Sequence, residues 1–98
     1  MEYILKPSTF FLEQCDELSN KAARIVEDKV RLLKVHPFRN KKLEGFNLFL
    51  FRIRFEDSQK EKRVIYLVDK PEVKILCIID RDNGYKELRK FLKNYGYL

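Results

Sequence analysis

Ninety-eight residues suffice for one hydrophobic core and exclude two, and a chain that is 45% hydrophobic and 37% charged is a folded domain, not a disordered tail. Twenty-one Lys and Arg against fifteen Asp and Glu leave a net charge of +6, which favours a polyanionic partner, nucleic acid first, or an acidic protein; solubility alone is the competing explanation. No segment approaches the ~18 uninterrupted apolar residues of a membrane span, and the start Met1-Glu2-Tyr3-Ile4-Leu5-Lys6 lacks the features of a signal peptide, so a cytoplasmic protein with no membrane partner is expected.

Residues 2–6 alternate in places and Pro7 stops them, which predicts a first strand. Ser8 or Thr9 offers a hydroxyl to the orphan N–H groups of a helix that starts at Phe10. Phe11, Cys15 and Leu18 then recur at helical spacing. Ser19-Asn20 breaks that helix, and Ala22, Ile25, Val26, Val30 and Leu33 form the apolar face of a second. His36-Pro37 ends it, because the residue before proline is pushed out of the helical region. Two helices this close read as an αα-hairpin. Residues 37–47 are expected to be a loop, carrying Arg39, Lys41 and Lys42 and turning at Gly45.

The period then switches to that of a strand. Over residues 48–55, Phe49, Phe51, Ile53 and Phe55 take one face, and Leu50, Arg52 and Arg54 take the other, exposed one. A polar turn at 56–61 leads to a second strand at 62–69, and Lys70-Pro71-Glu72 turns into a third. Val73 to Ile79 is apolar at nearly every position, so this strand should lie centrally with both faces covered. Residues 80–84 read as a turn or helix entry, and 85–94 as a last helix. Its apolar side carries Leu88, Leu92 and Tyr95, and its basic side Lys86, Arg89, Lys90 and Lys93. The tail to Leu98 is expected to fray. The fold class is α+β in the order β-α-α-β-β-β-α, one domain over residues 1–98. An N-terminal strand and helical hairpin pack on a mainly antiparallel sheet, with a C-terminal helix.

The chain has no phosphate-binding glycine loop, zinc-protease histidine pair or nucleophile elbow. Cys15 and Cys77 read as buried free thiols and His36 as a helix-terminating surface residue, so neither metal nor cofactor is expected. What remains is basic. Arg52, Arg54, Arg63 and Arg81 lie on or beside strands that run ~5 Å apart, and their side chains can converge on one patch. Guanidiniums on one face repel unless an anion bridges them. That anion is either a ligand or an internal partner such as Asp57, Glu61, Asp80 or Asp82, and spacing leaves both open. Tyr85 either packs on the sheet or faces the patch, and the basic side of the last helix is either solvated or contacts phosphate.

Behind the strand and αα-hairpin, the run K-K-L-E-G (41–45), F-R-I-R-F (51–55), K-R-V-I-Y (62–66) and D-R-D-N-G-Y (80–85) resembles the RelE/ParE toxins over nearly the whole chain. Each motif is short, and the likeness rests on their order and spacing together. The resemblance implies the toxin of a toxin–antitoxin system, a metal-independent endoribonuclease (mRNA interferase). In the RelE branch it enters the ribosomal A site and cuts mRNA by 2′-hydroxyl attack. On that likeness Arg52 and Arg54 match positions that bind phosphate and help deprotonate the 2′-hydroxyl. Arg63 matches the arginine that stabilises charge on the scissile phosphate, Arg81 the one near the leaving oxygen, and Tyr85 the tyrosine that stacks on the base. Arg39, Lys41, Lys42, Lys86, Arg89, Lys90 and Lys93 are expected to contact RNA or the ribosome. Arg52 and Arg54 stand where the pattern has lysines, and arginine rarely gives up its proton. Phosphate clamping therefore carries over, whereas the general base does not. The implied partners are a cognate antitoxin, the ribosome and mRNA. A ParE-like DNA gyrase inhibitor or a catalytically inactive basic binding domain is the alternative.

Overall fold

The computed structural model describes residues 2–98. In chain order the elements are β1 (Ile4–Pro7), α1 (Thr9–Asp16), α2 (Asn20–Arg31) followed by a 3-10 turn (Leu32–Lys34), β2 (Lys41–Lys42), β3 (Leu50–Asp57), β4 (Lys60–Asp69), β5 (Glu72–Asp80) and α3 (Gly84–Asn94). They build one sheet in the order β1-β5-β4-β3-β2, with β1 parallel to β5 and every other pair antiparallel. The α+β class and element order agree with the sequence reading, with one addition. β2, inside the expected 37–47 loop, pairs Lys41 with Arg52 and Lys42 with Phe51. Two residues are too few to show a period.

Local chemistry explains where the boundaries moved. Pro7 closes β1 instead of stopping short of it, and a proline is tolerated there because β1 is an edge strand and position 7 its last residue. The polar turn expected over 56–61 shrinks to Ser58-Gln59, with φ of 52° and 67°. Two successive positive φ values match the twist of a tight two-residue hairpin, so both flanking strands grow into the expected turn.

The two faces of the sheet are covered separately. Phe51, Ile53, Phe55, Val64, Tyr66, Val68, Val73 and Ile75 pack under α1 and α2 against Phe11, Ala22 and Val26. On the opposite face Leu50, Ile65, Leu67, Leu76, Cys77 and Ile79 pack with Leu88 and Leu92 of α3. Two expectations for β3 are corrected, the face of Phe49 and the exposure of Leu50. Phe49 precedes the strand and is 58% exposed, while Leu50 is fully buried, because α3 covers its end of the face on which Arg52 and Arg54 lie.

β5 is covered on both faces, and a bulge accounts for its unbroken apolar run. Ile65 pairs with Cys77 but Tyr66 pairs with Ile75, which leaves Leu76 as the extra residue. Leu76 and Cys77 therefore both join the α3 side, while Ile75 and Ile78 serve the other. Where β1 ends, side chains of α1 take over its pairing role. The N-cap Ser8 accepts from Phe11 N at 3.0 Å and donates to Leu76 O at 2.7 Å, and the Gln14 amide both donates to Ile78 O and accepts from Ile78 N, at 2.8 and 2.6 Å. Backbone groups of β5 that the short edge strand does not reach are thereby satisfied.

Cys77 is buried as expected and Cys15 only half so. Burial pushes the Cys77 thiol up to about 12, with Glu87 adding to the shift. The C-terminal tail is tied down through Tyr97. Gly96, at φ 79°, lets its own N–H reach Lys93 O and lets Tyr97 N–H reach Leu92 O at 2.8 Å, the paired bonds of a Schellman cap. No helix among the described residues is long and apolar enough to cross a membrane.

Candidate active site

α3 covers the sheet face only as far as Leu50, Ile65 and Ile79. Beyond that, the same parity of β3 and β4 turns from apolar to charged, with Arg52 and Arg54 on one strand and Glu61 and Arg63 on the next. The register sets Arg54 directly opposite Arg63. Tyr85 stands at the border, in the first turn of α3, and its hydroxyl accepts from Arg52 Nη1 at 3.3 Å and from Arg63 Nη1 at 3.1 Å. The Arg63 guanidinium also lies 5.6 Å from the centre of the Tyr85 ring, within cation–π reach.

Arg63 is the most enclosed charge of the group, at 9% exposure. Its Nη2 meets Glu61 Oε2 at 3.4 Å, and Glu61 Oε1 lies 4.0 Å from Arg54 Nε. One carboxylate therefore sits between two guanidiniums, the internal partner that the sequence left open against a ligand. Three cations still outnumber it, and Arg52 Nε and Arg63 Nε are buried without a hydrogen-bond partner. A patch with surplus positive charge favours an anion.

The patch opens into a cavity of about 490 Å³ lined by Lys41, Lys42, Phe46, Arg52, Tyr85 and Arg89, together with Leu43 and Glu44. The Arg89 guanidinium lies 4.8 Å from the centre of the Phe46 ring, and Lys42 Nζ 4.9 Å from that of Phe49, so both cations rest on aromatic faces. Gly45, at φ 84°, makes the turn between these residues. Gly84 lets α3 start close to the sheet: a Cβ there would lie 2.8 Å from Ile79 Cδ1 and 3.2 Å from Ile79 Cβ, so a larger residue would push the Ile79 side chain aside. That entry sets the position of the adjacent Tyr85.

The residues read from the sequence thus separate into groups. Arg52, Arg54, Arg63 and Tyr85 come together, with Lys41, Lys42 and Arg89 around their cavity. Arg39 lines a neighbouring groove. Arg81 is exposed past the end of β5; its backbone N–H donates to Glu61 O at 3.4 Å, but its side chain makes none of the cluster's hydrogen bonds, and it lines a neighbouring depression with Glu56, Glu61, Asp80, Asp82 and Glu87. Lys90 faces a hollow between α1 and α3, and Lys86 and Lys93 are exposed and line neither cavity nor groove. Sequence reasoning passed over Phe46 as the platform for Arg89, and Asn40 as the loop residue that donates to buried Tyr66 at 3.1 Å. Neither belongs to a periodic segment, so no pattern could have shown them.

No protein-family model matches the chain, and no curated protein matches it in sequence. Solved structures do match. A mutant of the E. coli toxin RelE in the free state aligns with a TM-score of 0.74 at 20% identity, over 92% of this chain and 97% of that one. The toxin–antitoxin complex RelBE of Mycobacterium tuberculosis gives 0.67 at 21% identity, over 83% of this chain and 100% of that one. The archaeal RelE–RelB complex of Pyrococcus horikoshii gives 0.64 at 25% identity, over 84% and 98%. The chain has the fold of the RelE toxins, as the order of its short motifs led us to expect.

Proposed function

We propose that the protein is the toxin of a toxin–antitoxin pair and acts as a ribosome-dependent mRNA endoribonuclease. The observation that carries this reading is the Arg52–Tyr85–Arg63 junction, open to a cationic cavity, on the fold of proteins described as RelE toxins and as RelBE toxin–antitoxin complexes. In the reaction the 2′-oxygen of a nucleotide attacks the adjacent phosphorus and the bond to the 5′-oxygen breaks. The nucleophile gives up a proton and the leaving oxygen gains one. Negative charge builds on the non-bridging phosphate oxygens, and guanidiniums fixed before the substrate arrives stabilise that charge more than they stabilise the ground state.

Arg63 suits this role best, because the Tyr85 hydroxyl, the Tyr85 ring and Glu61 together fix its plane. Arg52 offers a second guanidinium across the same hydroxyl. The exposed part of the Tyr85 ring can stack on a base and align the sugar for in-line attack. Arg54 clamps phosphate, and as an arginine it is a poor proton acceptor. Glu61, which bridges Arg54 and Arg63, is the carboxylate nearest to that duty. Arg81 has the freedom of an exposed side chain to approach the leaving oxygen once RNA is bound. A cognate antitoxin is the expected protein partner.

The test is primer extension on a reporter mRNA in a translating extract, with the wild-type protein and an Arg63→Ala variant. Cuts within codons that need ribosomes and vanish in the variant are expected. Intact mRNA in the presence of folded wild-type protein would sink the reading.

A further inference from the structure

β2 covers β3 only at Phe51 and Arg52, so from Ile53 onward the outer edge of β3 has no strand beside it. The end of α2 and the following turn stand over that edge and leave a groove of about 580 Å³. Lys29, His36, Arg39, Lys41, Arg52 and Arg54 line it, and none of its lining residues is acidic. Lys29 Nζ donates to Arg54 O at 3.2 Å, which caps one exposed carbonyl of the edge. Guarding an edge strand with charge needs one such lysine. It does not call for five lysine and arginine side chains around one hollow.

Two features connect the groove to the candidate active site. Arg52 lines both the groove and the cavity under Tyr85, and Lys41 does the same from β2. The loop that carries His36 and Arg39 is held firmly. The buried Tyr66 hydroxyl donates to Pro37 O at 2.7 Å and accepts from Asn40, and Phe38 packs edge-on against Phe51 with ring centres 5.6 Å apart. Arg39 is thus displayed from a fixed frame beside Lys29, Lys41, Arg52 and Arg54, and an anion in the groove would relieve their mutual repulsion.

We propose that this groove is a second phosphate subsite, which holds a neighbouring backbone phosphate of the RNA strand whose reacting phosphate lies at Arg63 and Tyr85. The proposal rests on the nuclease reading for the identity of that strand. Single-stranded RNA carries a phosphate at every nucleotide, so a strand held at Tyr85 meets the groove without a break by passing Arg52. An acidic protein segment has no such continuity to favour it. Lys29 and His36 join the RNA-binding set in this way, His36 in place of its reading as a mere helix-terminating residue.

Binding of a fluorescent, uncleavable 2′-O-methyl RNA oligonucleotide tests the subsite without ribosomes or catalysis. The variant is Lys29→Gln/His36→Gln/Arg39→Gln, with Arg39→Gln alone as a milder second variant should the triple one melt early. The control is Lys21→Gln/Arg24→Gln, which removes two exposed charges from α2 away from the groove. Affinity should fall about tenfold in the triple variant and the salt slope should shrink by about one phosphate's worth, ~0.7, with the control within about twofold of wild type. Equal losses in groove and control variants would overturn the subsite and leave a diffuse positive field. A glutamate-rich peptide that depends on the groove while RNA does not would also overturn it, and would assign the groove to an acidic protein. Groove-dependent RNA binding by a protein that fails to cut mRNA would support the subsite and sink the nuclease reading instead.

Discussion

The face of the sheet under α1 and α2 stays apolar until Lys62 and Asp80 pair at its end, whereas the face under α3 changes character halfway along. Both faces come from the same strands. In β4, Val64, Tyr66 and Val68 point to the first face, while Arg63, Ile65 and Leu67 point to the second. Because strand side chains alternate with period two, consecutive residues can carry opposite duties. The first parity holds the domain together. The second holds it only as far as α3 extends, and then presents surplus charge. If this division holds, a change at one residue should cost activity without stability, and a change a few residues away should do the reverse.

The largest effect should come from Arg63→Met. It removes the guanidinium that Tyr85 and Glu61 hold in place, and loss of one preorganised donor of this kind lowers rates about 10²–10³-fold. Stability should change little, since an enclosed guanidinium with an unpartnered Nε gives way to an apolar chain, and Glu61, a quarter exposed, keeps Arg54 as a partner. Primer extension beside a thermal melt separates the two. A large drop in melting temperature would make Arg63 a structural residue and break the comparison.

Tyr66→Phe, on the other face, should show the opposite pattern. It removes the donor to buried Pro37 O and the acceptor for Asn40, a loss of about 1–3 kcal/mol. Burial also raises the Tyr66 hydroxyl from 10.0 to about 12, and the Cys77 thiol from 9.0 to about 12. Both groups hold their protons more tightly folded than unfolded. Their contribution to stability is therefore complete below about pH 9, and declines as pH rises toward about 12. Urea unfolding measured across that window should show the decline in wild type and a shallower one in Tyr66→Phe. Parallel curves would remove Tyr66 from the account.

The same division shows what could be read from the sequence. Alternation and helical spacing disclosed the αα-hairpin and the meander, because each is a run long enough to have a period, and an unbroken apolar run disclosed the covered third strand. The bulge at Leu76 was invisible, since an apolar run does not say which residue is extra. Leu50 was misplaced because its cover comes from α3, more than thirty residues away, and nothing local predicts that. At the candidate site, strand parity put Arg52 and Arg54 on one face, strand adjacency added Arg63 and Arg81, and resemblance supplied the roles of these residues and of Tyr85. The role of Glu61 between Arg54 and Arg63 depends on register and side-chain direction, and so do the notch beyond β2 and its rim of Lys29 and His36.

Tyr85→Phe sharpens the comparison at the border between the two zones. It keeps the ring, with its contact to Arg63 and its stacking surface, and removes only the oxygen that accepts from two guanidiniums. Hydrogen bonds to charged groups contribute about 1.5–3 kcal/mol, and some of that returns when the arginines bind phosphate instead. Cleavage should therefore fall by about tenfold, less than in Arg63→Met, with the melting temperature little changed. A loss as large as that of Arg63→Met would mean that the hydroxyl takes part in the reaction itself.

The smallest effect is expected at the hairpin that holds the arginine register. Ser58 and Gln59 adopt positive φ, a conformation that costs a residue with a side chain but not glycine. Gln59→Gly relieves that strain at the second position and adds flexibility to the unfolded chain, so the net gain should be only about 0.5 kcal/mol. Arg54 and Arg63 face each other because this turn is two residues long, and the substitution leaves its length unchanged. Cleavage should therefore match wild type while the melting temperature rises slightly. A change in cleavage without a change in stability would show that the turn does more than set the register. It would point to Gln59 itself, which lines the same depression as Arg81.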